Sequence, residues 1–138
     1  MTPRPLSIRK EDPGAAPTYL KIADELRRSA TDNVVNRRWT AAVTDAIQAA
    51  MHAADAVLIH RRGFRSNSPA HADVVEHLRR EFGAEVERER TTLSRLIAHK
   101  HQFDYEGRLA TEREGTEAAR RAEEVYAWAR GIVERPKA

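Results

Sequence analysis

Residues 37–62 carry the pattern that most narrows what this chain can fold into. Trp39, Val43, Ala46, Ala50, Ala53 and Val57 recur at three- and four-residue intervals, and Ile47, Ala54 and Leu58 widen the same stripe. A repeat close to the helical period marks an α-helix with one buried face. On a strand the same residues would fall on both faces and leave half of them in water. Because much of the stripe is alanine, neighbouring helices can approach it closely. Gly63 follows, a residue able to take the left-handed backbone that commonly ends a helix.

The remaining segments supply helices to pack on this one. A helix beginning near Thr18, with the threonine hydroxyl as cap, puts Tyr19, Ile22, Ala23, Leu26 and Ala30 on one face. Residues 33–36 read as the turn that follows. Ser68-Pro69 opens a shorter helix with Val74, Val75, Leu78 and Phe82 inward, stopped at Gly83. The next helix runs from about Ala84 to Lys100 or beyond, burying Val86, Leu93, Leu96 and Ile97, and the Glu106-Gly107 step breaks it. A last helix, from about Thr111 to Glu134, turns Gly115, Ala118, Ala122, Val125, Ala129 and Ile132 inward. With only six glycines and six prolines, little of the chain is left for a sheet. The expected fold is all-α: an antiparallel bundle of four main helices plus a shorter one over residues 18–135. Residues 1–17 hold four prolines and no apolar periodicity, and read as a flexible arm.

Several function classes are excluded or disfavoured. The chain has no cysteine, which removes disulfides, thiolate metal sites and thiol catalysis. It has no phosphate-cradling glycine loop, nucleophile elbow or zinc signature. No apolar run is long enough to span a membrane and the first residues lack a signal-peptide core, so a cytoplasmic protein is expected. A formal net charge of +3 permits contact with a polyanion without requiring it. Asp45, Gln48, His52 and Asp55 share a polar face of the second helix, but their spacing fits no strong metal motif, and neither metal nor cofactor is expected.

The polar groups that remain are unevenly spread. Lys100, His101, Asp104 and Tyr105 form the densest cluster, and Lys100 and Asp104 stand four apart on one helix face. If the helices opening at Ser68 and Ala84 run up and down, this cluster comes to the same end as residues 61–71, which carry Arg61, Arg62, Arg65 and His71. An arginine can neutralise a developing phosphorane charge, and a histidine can move protons to or from a ribose hydroxyl or leaving oxygen. Arg95 and His101 are the catalytic candidates on that chemistry. On a straight helix they point about 120° apart, so they would cooperate only through a distortion or across a dimer. The plainer reading makes the Lys100–Asp104 pair a structural ion pair, His71 a satisfied residue on an apolar face, and the arginines a solvated helix end.

The order of these features resembles a known family. An alanine-rich helix with Ala49-Ala50-Met51-His52-Ala53-Ala54-Asp55-Ala56-Val57-Leu58, a turn at Gly63, a helix bearing His71, the Lys100-His101-Gln102-Phe103-Asp104-Tyr105 segment and a closing amphipathic helix are similar to the HEPN superfamily (higher eukaryotes and prokaryotes nucleotide-binding domains). One branch carries Arg-x-x-Ala-Asp-Tyr on the helix before the last. Here Lys100 replaces the arginine and Phe103 the alanine, while Asp104 and Tyr105 match.

The resemblance implies a helical bundle that often dimerises and acts on or binds RNA. In bacterial toxin–antitoxin or defence systems it often acts as a metal-independent endoribonuclease beside a nucleotidyltransferase antitoxin. The family's catalytic signature is an arginine, usually followed by a polar residue, with a histidine four to six positions later. Arg95 is followed by Leu96, and Arg65-Ser66 falls in an expected loop, so neither copy is clean. The alternative is a non-catalytic binding or scaffolding module that works through dimerisation or partner docking.

Overall fold

The computed structural model describes residues 4–135. Five α-helices form the body: α1 (Ala16–Val35), α2 (Trp39–Arg62), α3 (His71–Phe82), α4 (Glu87–Glu106) and α5 (Glu112–Val133). Helix α2 is the centre. Thirteen of its residues are buried, among them every residue of the anticipated stripe except Trp39, which is half-buried. Ala49, Met51, Ala56 and Ile59 are buried as well, so apolar contact extends around most of the helix. α1 and α5 pack on it most extensively, and α3 and α4 lean on the other side. The small side chains let α5 come so near that a Cβ added at Gly115 would lie 3.1 Å from the Trp39 Cα.

Helix ends follow local chemistry. Gly63 closes α2 at φ 72°, donating its N–H to the Ile59 carbonyl. Thr111 opens α5 with a reciprocal capping box, its hydroxyl accepting from the Glu114 N–H while the Glu114 carboxylate accepts from the Thr111 N–H. The starts of α1, α3 and α4 differ from expectation, α4 opening at Glu87 rather than near Ala84. α1 begins at Ala16, two residues before Thr18, because Pro17 fits the first turn of a helix. α3 begins at His71, since the Ser68 hydroxyl accepts from the Ala70 N–H in a turn outside the helix. Between α3 and α4, residues Gly83–Val86 form a 3-10 turn.

The proline-rich segment is the main correction to the sequence reading. Residues 1–3 of the expected arm lie outside the described residues, but from residue 4 onward it is a fixed strap. Ile8–Lys10 (β1) pairs antiparallel with Phe64–Ser66 (β2), in the register Ile8 to Ser66, Arg9 to Arg65 and Lys10 to Phe64. The Glu11 N–H donates to the Gly63 carbonyl at 2.9 Å, and the Asn67 N–H to the Ser7 carbonyl at 3.0 Å. Arg4 reaches Asp73 of α3 at 2.7 Å. Asp12 accepts from the Gly14 N–H and starts a 3-10 turn at Pro13–Ala15 that leads into α1. Prolines remove donors from a strand but do not prevent the three residues between them from pairing.

Candidate functional site

The exposed polar corner of the molecule lies where α3 begins and α4 nears its end. His71 is the first residue of α3 and is half-buried, while Lys100 and His101 project from α4 and are exposed. Burial lowers the His71 pKa below the usual imidazole value, and the neighbouring charges of Lys100 and His101 lower it further. His71 is thereby disfavoured from taking up a proton where it faces Lys100 and His101. The antiparallel run of α3 and α4 brings these three together, as their spacing anticipated. His101 also lines a surface groove of about 350 Å3 whose floor is Val75 and Ile97 and whose walls include Ala72, Ala98, Ser94 and Glu76. Lys100 opens onto a different, narrower hollow of about 110 Å3 between α2 and α4, beside Thr44, Gln48 and Phe103. Tyr105 is almost wholly exposed. The side chain of Asp104 lies outside the described residues, so the Lys100–Asp104 pair does too.

Arg95 does not join this corner within one chain. It is exposed on α4 six residues before His101, about 9 Å along the axis and ~120° around it. The helix runs unbroken between them, so no distortion brings the two together.

The other predicted arginines are engaged elsewhere. Arg61 pairs with Glu85 at 3.2 Å and Arg62 with Glu81 at 3.0 Å, and both guanidinium groups lie over the Phe82 ring. These contacts hold α2 to the far end of α3. Ten residues of helix, about 15 Å, separate that end from His71. Arg65 sits under the strap, donating to the Tyr19 hydroxyl at 3.0 Å and the Ser66 carbonyl at 2.9 Å, with Glu11 at 3.4 Å. The expected convergence of Arg61, Arg62 and Arg65 with Lys100 and His101 therefore does not form, because β2 and the following loop carry the chain past the whole length of α3.

The polar face of α2 is similarly spoken for. Asp45 accepts from Ser29 at 2.6 Å and from Asn33 at 2.9 Å, tying α1 to α2. His52 donates through Nδ1 to the Gln48 carbonyl at 2.9 Å. Asp55 is pushed up to about 7 by burial, against the opposing influence of Arg65 and the Ser66 N–H. Among the described residues no group of three His, Asp or Glu side chains is arranged to hold a metal ion.

One constellation was missed from sequence. On the other flank of α4, the His99 Nε2 lies 3.1 Å from Arg121 Nη1. A guanidinium can only donate, so Nε2 accepts and the imidazole proton sits on Nδ1, 3.9 Å from a Glu114 oxygen. Glu114 is gripped by both nitrogens of Arg108 at 2.9 Å, which with the capping box holds its pKa down at about 2. Burial and Arg121 lower the His99 pKa, opposed by Glu114 and Glu117. The ring stacks on Phe103, and the Arg108 guanidinium lies over the same phenyl group. This is a latch between α4 and α5. Its sequence signal was the Thr111-x-x-Glu114 capping box, which places Glu114 at the start of α5, next to the end of α4.

Fold and corner together define an all-helical bundle with a histidine-and-lysine corner on its α3–α4 face. A HEPN domain model matches residues 16–132, and the chain belongs to the HEPN family. The match starts at the first residue of α1, so the strap precedes it. Comparisons with curated proteins and with solved structures return no match. The family is associated in general with nucleotide binding and RNase-like function, and its domains often dimerise and bind RNA. No helix among the described residues is long and apolar enough to cross a membrane.

Proposed function

We propose that this HEPN protein acts on RNA as a metal-independent endoribonuclease whose reacting groups are drawn from the α3–α4 corner. The observation that carries the reading is the meeting of His71, whose pKa is lowered by burial and by its neighbours, with Lys100 and His101. Neutral imidazole is the form that accepts a proton, and His71 would take it from a ribose 2′-hydroxyl. The 2′-oxygen then attacks phosphorus while the bond to the 5′-oxygen breaks, leaving a 2′,3′-cyclic phosphate. His101 would return a proton to the departing oxygen, and Lys100 would face the charge that builds on the phosphoryl oxygens. Arg95 enters only from a second copy. The groove beside His101 has an apolar floor and small-residue walls that suit a homodimer contact, and such a contact would set the partner's Arg95 near His101. A toxin–antitoxin or defence role and a nucleotidyltransferase partner belong to the same proposal and rest on family membership.

The test incubates RNA with the protein in EDTA and compares wild type with His71→Ala, His101→Ala and Arg95→Ala. Each histidine variant should lose about two to four orders of magnitude in rate. Mixing Arg95→Ala with His101→Ala separates the two arrangements. A site shared across a dimer regains about a quarter of wild-type activity, since half the dimers are mixed and each holds one intact site. A site within one chain regains nothing. A folded wild type that cuts no RNA would end the catalytic reading and leave the binding module.

A further inference from the structure

The bundle end formed by the α1–α2 and α4–α5 turns carries an unpartnered apolar surface. Of the five large apolar side chains exposed among the described residues, the three most exposed lie here: Tyr105 at 94%, Leu109 at 80% and Val35 at 74%. The two turns are joined directly, the Ala110 N–H donating to the Thr40 hydroxyl at 2.8 Å. Between them lies a hollow of about 270 Å3 lined by Arg37, Arg38, Trp39 and Leu109, with Thr40 and Ala110 at its base. Monomeric surfaces seldom gather their most exposed apolar groups in one place unless something covers them.

The charged residues that line the hollow, Arg37 and Arg38, are of one sign. Arg37 and Arg38 have no carboxylate within ion-pair distance among the described residues, whereas most arginines of this chain do. Arg38 meets only the neutral Asn33 amide, and Arg37 lies over the Trp39 ring. The first turn of α2 holds no acidic residue to offset them. Arg37 is also the one non-glycine residue described with a positive φ, 60°, a conformation that asparagine or glycine would take at less cost.

We infer that this bundle end is the docking surface for an acidic, amphipathic segment of a partner protein, which buries apolar side chains against Val35, Leu109 and Tyr105 and sets carboxylates on Arg37 and Arg38. Charge complementarity selects this occupant. A second copy related by a two-fold axis through this end would press Arg37 and Arg38 against their own counterparts. Single-stranded RNA would use the arginines and Tyr105, but it would leave the aliphatic Val35 and Leu109 covered by nothing that matches them. Docking here uses none of His71, Lys100 and His101, so the surface stands whether or not the protein cuts RNA.

The test selects a displayed library of short random peptides on the full-length protein and measures the enriched sequences, as labelled synthetic peptides, by fluorescence anisotropy. The enriched peptides should combine carboxylates with leucine or phenylalanine at helical spacing, and their binding should weaken as salt rises. Arg37→Glu, Arg38→Glu and Leu109→Ser should each weaken it by about tenfold or more. Ile22→Ser, an exposed change on α1, should leave it unaltered, and circular dichroism confirms that every variant folds. The inference is overturned if no peptide is enriched, if the enriched peptides lack acidic residues, or if they bind the Arg38→Glu and Leu109→Ser variants as they bind wild type. It is equally overturned if oligouridylate occupies this surface in an Arg38-dependent way, or if sedimentation shows the protein dimerising through Leu109.

Discussion

Helix α4 carries three consecutive cationic or histidine side chains, and the two histidines among them live in opposite circumstances. His101 faces the α3 side, exposed at the edge of an open groove. His99 faces α5, held by Arg121 on one ring nitrogen, with Glu114 near the other and Phe103 against its face. Two residues of helix turn a side chain by about 200°, and that rotation alone separates a group open to a ligand from one fixed in a seam. A histidine's identity and neighbours in sequence therefore say little about what it can do. The element packed against its side of the helix decides.

The largest effect expected from this contrast is on cleavage. His101→Ala should lower RNA cleavage by about two to four orders of magnitude without moving the melting temperature. His99→Ala should do the reverse, keeping cleavage and costing about 1–2 kcal/mol of stability, because Arg121 loses its acceptor. Parallel rate assays and thermal melts would break the comparison if both variants behaved alike.

Next in size is Asp55, which tests the burial argument with the opposite charge. Its pKa is raised to about 7, so its neutral form favours the folded state at low pH, and that contribution is lost as pH rises through 7. Asp55→Asn, which removes the buried charge, should raise stability at pH 8 by roughly 1–2 kcal/mol and change little at pH 5. Urea titrations at the two pH values read the difference directly.

Glu114→Gln should cost about 1 kcal/mol. It weakens the grip of Arg108 and one half of the capping box while leaving the fold intact. The resulting fall in melting temperature should exceed that of Glu117→Gln on the same helix, since Glu117 is itself about twice as exposed, at 31% against 15%.

The smallest effect is a shared acid sensitivity. His71 and His99 both have lowered pKa values, so below about pH 6.5 the unfolded chain binds protons that the folded chain refuses. Stability should fall as pH drops from neutrality through the lowered folded values. His99→Gln should flatten that slope.

How much of this could be read from the sequence follows a physical line. The helices were legible because period and small-residue content act locally, and Val43 to Val57 sat where the stripe put them. The strap was not, because β1 is three residues long and exists only through pairing with β2, a contact that spans the whole of α1 and α2. The meeting of His71 with Lys100 and His101 was legible because it needed only the antiparallel run of two helices. Arg61 and Arg62 were misplaced for a related reason. Nothing local said that β2 would return the chain to the opposite end of α3 before the helix began. His99 was passed over because Arg121 is too far along the chain for spacing to connect them.

The near-complete burial of α2 has one more consequence. A helix that touches neighbours on almost every side tolerates little change, and with α1 and α5 it forms a chassis whose alanines leave no slack for larger side chains. α3 and α4 are bolted on through a few apolar groups such as Leu78, Leu93 and Leu96. Their outer residues can be exchanged without disturbing that chassis. The same frame can thus carry different chemistry on its α3–α4 flank from one lineage to another, and sequence drift should concentrate there while the alanine rod stays nearly constant.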